Sequence, residues 1–270
     1  MPSFREALQS GTPQLGLCIM YPSPGVIERI GPEWDWMWID GQHGELAYQD
    51  VMALVRACDL VQRPAFVRVP SHEFGGIGHA LDTGAAGVIV PLVDTVEQAK
   101  AVIQAAKFPP LGGRSFGGRR AIDRHGRTYS NSANEEVLLI LQIESPEAIK
   151  NAEKIAALPG VDALFLGPDD VMLRRGFSMT EPRWAESLAK DLETVMNACR
   201  KHRKVGVGVG MSAEMFKLCN SLGYPMIVAG GDVPFLAAGS KKAATDAREL
   251  IKGSPAGGKP ADGKTSASPY

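Results

Sequence analysis

Eight short apolar runs punctuate this chain: Leu15 to Tyr21, Trp34 to Asp40, Ala65 to Val69, Gly87 to Val93, Val137 to Glu144, Val161 to Leu166, Val205 to Gly210 and Pro225 to Ala229. They are nearly continuous in hydrophobicity, the pattern of parallel strands covered on both faces. Helix-patterned segments separate them, among them Tyr48 to Asp59, Val96 to Ala106, Pro146 to Ala157, Trp184 to Lys201 and Ala213 to Leu222. Strand and helix alternating over 270 residues predict an α/β fold, and eight such units suit closure into a (β/α)₈ TIM barrel. The rival is an open doubly wound sheet, which would normally carry a glycine-rich turn after its first strand. Met20-Tyr21-Pro22-Ser23-Pro24-Gly25 is not that turn. A single barrel domain is expected over residues 1–251. Residues 252–270, rich in Gly, Pro, Ser, Lys and Ala without apolar period, read as a disordered tail.

In a parallel barrel the chemistry gathers at the carboxyl ends of the strands. Two runs end there in acids: Leu138-Leu139-Ile140-Leu141-Gln142-Ile143-Glu144, and Ala163-Leu164-Phe165-Leu166-Gly167-Pro168-Asp169-Asp170. Glu144 and Asp170 are therefore candidate ligands of one divalent cation. With no Cys or His pair beside them, a hard ion is favoured, Mg²⁺ or Mn²⁺ with Co²⁺ as a substitute, its other positions filled by water and substrate oxygen. A 2-oxo acid suits such an ion, because its carboxylate and keto oxygens chelate while the metal stabilises an enolate. Adjacent acids repel, so one of Asp169 and Asp170 is expected to face the cation, and a helix N-cap is the plain alternative for either. The turn at Gly167-Pro168-Asp169-Asp170 would also present backbone amides to a carboxylate.

Four further residues belong to the same mouth. The second run ends Trp38-Ile39-Asp40 and opens into Gly41-Gln42-His43, placing Asp40 and His43 there. An imidazole beside a carboxylate is a proton shuttle, while a loop histidine capping the next helix is the plainer reading. Arg68, among Phe66, Val67 and Val69, needs an internal acid or a substrate oxygen to offset its burial. Gln142 shares a strand face with Glu144 and can donate to a substrate oxygen.

Charge narrows the partners. Lys plus Arg at 29 against Asp plus Glu at 30 leaves a net charge of −1, so no nucleic-acid or anionic-membrane surface is indicated. Small molecules are the default. The four cysteines, Cys18, Cys58, Cys199 and Cys219, lack metal-site spacing and read as reduced, packed thiols. Met1-Pro2-Ser3-Phe4-Arg5-Glu6 has no signal-peptide character, and a cytoplasmic protein is expected. The long connection from Phe108 to about Asn134 carries Gly112-Gly113-Arg114-Ser115-Phe116-Gly117-Gly118-Arg119-Arg120. Such a loop is either a cover for an anionic ligand, with a part in selecting the substrate, or a surface excursion. Gly206-Val207-Gly208-Val209-Gly210 and Ala229-Gly230-Gly231-Asp232 leave open a phosphate site after the last two strands.

Taken together, Ile39-Asp40-Gly41-Gln42-His43, Val67-Arg68, Val90-Pro91, Leu141-Gln142-Ile143-Glu144 and Phe165-Leu166-Gly167-Pro168-Asp169-Asp170 resemble the HpcH/HpaI aldolase family, over about Gly16 to Leu250. The resemblance implies a class II, metal-dependent pyruvate aldolase on a phosphoenolpyruvate/pyruvate-type barrel. Such an enzyme cleaves a 4-hydroxy-2-oxo acid into pyruvate, or an analogue such as hydroxypyruvate, and an aldehyde. It makes Glu144 and Asp170 the metal ligands, Arg68 the residue on the keto or enolate oxygen, and His43 the acid–base group with Asp40 as its partner. Gln142 and the backbone of Gly167, Pro168 and Asp169 would contact pyruvate, and Asp82 is a further acid that the pattern singles out. Gln42 and Asp169 depart from the family's usual residues. A homohexamer, a trimer of dimers exchanging a final helix near Val233 to Leu250, is also implied. Oxaloacetate decarboxylation is the alternative lyase activity, and a barrel kept only as a binding module is the non-enzymatic one.

Overall fold

The structure, a computed structural model, describes residues 4–180 and 185–253. Its eight strands are β1 (Gln14–Ile19), β2 (Trp36–Asp40), β3 (Ala65–Arg68), β4 (Gly87–Val90), β5 (Leu138–Ile143), β6 (Ala163–Leu166), β7 (Val205–Val209) and β8 (Met226–Gly231). They close in sequence order into a barrel, and β8 returns to pair in parallel with β1. Closure removes the doubly wound alternative. The helix Val96–Ala106 has the predicted bounds, and Tyr48–Leu60, Pro146–Ala156 and Ala213–Ser221 differ from theirs by a residue at the end.

Local chemistry explains where these helices begin. Thr95 accepts from the Gln98 amide at 3.1 Å while Gln98 Oε1 accepts from the Thr95 amide at 2.9 Å, a reciprocal cap. Ser145 accepts from the Ala148 amide at 2.9 Å, and Pro146 follows it with its φ already set for a helix.

Two apolar layers result. Leu17, Ile19, Met37, Ile39, Val67, Val88, Leu139, Leu141, Leu164 and Leu166 pack outward against the helices. Cys18, Trp36, Trp38, Phe66, Ile89, Leu138, Ile140, Phe165, Val207 and Met226 form a second cluster. Residues two apart on one strand fall in the same cluster, so that second set fills the barrel's interior.

The Phe108 to Asn134 connection corrects the reading of a cover. It joins a helix to the strand that follows, which places it at the amino-terminal end of the barrel, away from the mouth. It is partly helical, with Arg119–His125, a 3₁₀ turn at Arg127–Asn131 and a short helix at Ala133–Glu136. Its arginines meet acids of the chain itself: Arg114 pairs with Asp82 at 3.0 Å, Arg120 with Asp59 and Arg119 with Asp123. Lys107 anchors its base. That ammonium is 1% exposed and donates to Asp162 at 2.7 Å, to Val137 O at 2.7 Å and to Asn134 O at 3.0 Å.

The barrel unit ends at Asp232, and a second compact unit begins at Val233. The helix Asp232–Gly253 runs two residues beyond the expected end of the domain, and the rest of the expected tail lies outside the described residues. All four cysteines are free and buried, and burial raises each thiol's pKa, to about 12 for Cys199 and Cys219. No helix among the described residues is long and apolar enough to cross a membrane.

Breaking a buried pair by removing one partner is strongly destabilising. Lys107→Met is therefore expected to lower unfolding free energy by about 3 kcal/mol, read from the urea midpoint.

Candidate active site

The interior cluster is where the chemistry begins, because three of its rows end in polar residues. Trp36 and Trp38 on β2 lead to Asp40, Phe66 on β3 leads to Arg68, and Leu138 and Ile140 on β5 lead to Gln142 and then Glu144. Ala163 and Phe165 on β6 lead in the same parity to Gly167. Asp40, Arg68, Gln142 and Glu144 are all buried, at 1%, 7%, 1% and 3% exposure. Polar side chains held at this depth need partners, and the partners define the site.

Asp40 and Arg68 are register partners on β2 and β3. Arg68 donates to Asp40 through Nε at 2.8 Å and Nη2 at 2.5 Å, a bidentate pair. Its guanidinium lies over Trp38, 4.7 Å from the ring centroid, and Nη1 reaches Gln142 Oε1 at 3.5 Å. The cation is thus fixed on three sides. Asp40 also accepts from the backbone amides of Gln42 and His43, each at 3.1 Å. In this structure Asp40 orients Arg68 and holds the main chain of the His43 loop. His43 itself stands exposed at the rim. Gly44 lets the loop turn tightly there, since a Cβ would meet Asp40 O at 2.4 Å and Met20 O at 2.9 Å.

Glu144 and Asp170 follow neighbouring strands, β5 and β6, and the charge of Asp170 acts on Glu144. Burial is the largest influence on Glu144, raising its pKa from 4.5 to about 7. A hydrogen bond from the Leu92 amide at 2.9 Å opposes this, the charge of Asp170 adds to it, and Arg68 and Arg174 counter it. Leu92 makes its contact from a left-handed backbone, φ 57°, a conformation costing about 1–2 kcal/mol for a residue with a Cβ. Gly167 makes the room: a Cβ there would come within 2.4 Å of Glu144 Oε1. Two acids with oxygen donors alone suit a hard divalent cation whose other ligands are water and substrate. Among the described residues no group of three or more His, Cys, Asp and Glu side chains is gathered for a metal, so these two acids would be the protein's share.

One expectation changes at the β6 turn. The Gly167 amide donates to Ile143 O at 3.1 Å and Pro168 has no N–H, so neither offers an amide to a carboxylate. Asp169 and Asp170 lie half-buried in the first turn of the helix Pro168–Arg174. The glycines of β7 serve packing: a Cβ on Gly206 would strike Met196 and Tyr224, and one on Gly208 would strike Cys219. Asp82 ends the helix Phe74–Asp82, at the barrel end opposite His43, where Arg114 occupies it.

Several residues at the mouth escape a reading of the sequence. Leu92 contributes a backbone amide, which has no residue signature. Asp232, 2% exposed, accepts from the Met20 and Tyr21 amides at 3.0 and 2.9 Å and ties the end of β8 to the loop after β1. Asp94 accepts from Ser145 Oγ at 2.5 Å and from Arg174 at 3.1 Å. Its one sequence signal is the Thr95–Gln98 capping pattern beside it.

The raised pKa of Glu144 has a sign that can be tested. The folded state binds this proton more tightly than the unfolded chain, so its contribution is present below pH 4.5 and is lost as pH rises through about 7. Glu144→Gln cannot ionise. The metal-free variant is therefore expected to be more stable than its parent at pH 8, by up to about 3 kcal/mol, with the gap closing toward pH 4.5, as read by urea unfolding.

Comparison with known proteins agrees with this architecture. The family profile described as HpcH/HpaI aldolase/citrate lyase matches residues 24–224. The chain is 42% identical over 177 residues to a 4-hydroxy-2-oxovalerate aldolase of Novosphingobium aromaticivorans, covering 64% of this chain and 68% of that one. It is 31% identical to a hydroxypyruvate/pyruvate aldolase of Deinococcus radiodurans, over 95% of both chains. A crystal structure of an HpcH/HpaI aldolase/citrate lyase family protein from Burkholderia cenocepacia superposes with a TM-score of 0.82 at 27% identity, covering 91% of this chain and 98% of that one. The chain belongs to the HpcH/HpaI aldolase/citrate lyase family.

Proposed function

We propose that this protein is a class II aldolase that reversibly cleaves a 4-hydroxy-2-oxo acid into pyruvate, or a close analogue such as hydroxypyruvate, and an aldehyde. The observation that carries the reading is the pairing of two unlike halves at one mouth. Arg68 is a fixed cation, neutralised by Asp40 and facing Gln142. Glu144 and Asp170 are an acid pair whose burial and mutual repulsion favour a bound cation.

A divalent cation on Glu144 and Asp170, Mg²⁺, Mn²⁺ or Co²⁺, would supply a Lewis acid for the keto oxygen of the substrate. Arg68 would hold that oxygen as its negative charge grows, with its guanidinium already oriented by Asp40 and Trp38. Gln142 would donate to a carboxylate or keto oxygen beside it. In cleavage, a base reached through His43 takes the proton of the C4 hydroxyl. The C3–C4 bond breaks, its electron pair passes to the pyruvate enolate, and the aldehyde departs. Protonation at C3 then gives pyruvate. His43 lies on a loop whose backbone is tied to Asp40, so the proton-transfer group and Arg68 are positioned by the same carboxylate.

The test is pyruvate release from 4-hydroxy-2-oxo acids of graded chain length, after EDTA and after addition of Mg²⁺, Mn²⁺ or Co²⁺. Turnover that vanishes with EDTA and returns with a cation is expected, and full turnover without metal overturns the reading. Oxaloacetate, run in the same assay, is expected to turn over more slowly than the best hydroxy-oxo acid. Arg68→Met is expected to lower kcat/KM by about 10²–10³-fold, the usual loss when a donor to a developing oxyanion is removed.

A further inference from the structure

We propose that Asp94 is a positioning residue for the two acids at the mouth, its carboxylate joining the strand end that carries Glu144 to the helix that carries Asp170. The inference rests on the reading of Glu144 and Asp170 as the cation ligands. The contacts are direct. Asp94 Oδ1 accepts from Ser145 Oγ at 2.5 Å, and Ser145 follows Glu144 in the chain. Asp94 Oδ2 accepts from Arg174 Nη1 at 3.1 Å.

Arg174 lies four residues after Asp170 on the helix Pro168–Arg174, and residues so spaced share a helix face. Drawing Arg174 to Asp94 therefore fixes the rotation of the helix and the direction of Asp170. Ser145 is held equally firmly, because its Oγ donates to Asp94 while accepting from the Ala148 amide at 2.9 Å. That immobilises the peptide immediately after Glu144.

Asp94 is itself anchored by its backbone. Its amide donates to Gln98 Oε1 at 2.8 Å, and its carbonyl accepts from Asn151 Nδ2 at 2.9 Å. Two residues earlier Leu92 donates to Glu144, and Val93 donates to Gln142 O at 3.2 Å. The segment Leu92–Asp94 thus touches Glu144, the strand that bears it and the helix bearing Asp170. Groups that orient a metal's ligands without touching the metal commonly change affinity by 10–100-fold when removed.

Charge alone predicts something different. Asp94 is an anion and Arg174 a cation near the acids, so in a purely electrostatic role Asp94→Ala would weaken cation binding and Arg174→Ala would tighten it. Positioning requires both to weaken it.

The experiment is Mn²⁺ binding to the metal-free full-length protein, followed by electron paramagnetic resonance of the free ion, for the parent, Asp94→Ala, Arg174→Ala and the double variant. Thermal unfolding of each confirms the fold, and Asp94→Asn replaces Asp94→Ala should the latter not fold. Each single variant is expected to bind about 10-fold more weakly or worse, and the double variant no more weakly than the poorer single. An Arg174→Ala affinity equal to or tighter than the parent's overturns the inference, as does an unchanged affinity for Asp94→Ala. The double substitution Glu144→Gln with Asp170→Asn separates the two levels. If it binds Mn²⁺ like the parent, the ligand reading has failed and the inference with it. If it abolishes binding while Asp94→Ala and Arg174→Ala change nothing, the inference alone has failed.

Discussion

The charged pair of Asp40 and Arg68, register partners on neighbouring strands, sets the level at which the barrel stops being a core and becomes a site. Below it, Trp36, Trp38, Phe66 and Phe165 fill the interior. A guanidinium placed on that aromatic floor would be prohibitive without an anion, and Asp40 supplies it with two hydrogen bonds in the plane of the fork. The same carboxylate fastens the main chain of Gln42 and His43. One acid therefore orients the cation on β3 and the loop after β2. Its replacement would disturb both together.

The opposite side of the mouth follows the reverse logic. Glu144 receives one amide from Leu92 and feels the arginines only at a distance, and its acidity is weakened by burial and by Asp170. Where Arg68 is neutralised within the fold, the acid pair is left in need of positive charge. That difference gives the site its polarity: a settled cation on one wall and an unsettled anionic pair on the other. The strained backbone at Leu92 and the missing Cβ at Gly167 both serve the second wall, bringing Glu144 a donor and giving it space. Local strain held at such a place by surrounding structure is characteristic of a functional site.

Much of this is legible in the sequence, and the limit has a physical cause. Asp40, Arg68, Gln142 and Glu144 can be read because each closes an apolar run with a period of two, so their depth and direction follow from the strand itself. The eight strands are legible because each is a short, nearly continuous apolar run. The partner of Arg68 is not, because choosing between Asp40 and a substrate oxygen requires the register of β2 against β3. Leu92 contributes a backbone group, and Asp94 joins parts of the chain dozens of residues apart. Neither fact leaves a trace in local pattern.

The glycine- and arginine-rich connection shows how chain order outweighs composition. Read by content, its arginines belong to an anion site. A parallel barrel has two unlike ends, however, with strand-to-helix loops at the mouth and helix-to-strand loops at the base. A segment following Val96–Ala106 and preceding β5 must lie at the base, whatever residues it carries. There Arg114, Arg119 and Arg120 find Asp82, Asp123 and Asp59, and Phe116 and Tyr129 stack with centroids 5.5 Å apart. The connection's own aromatic and ionic contacts hold it against the base, so its arginines are engaged by the fold of this chain.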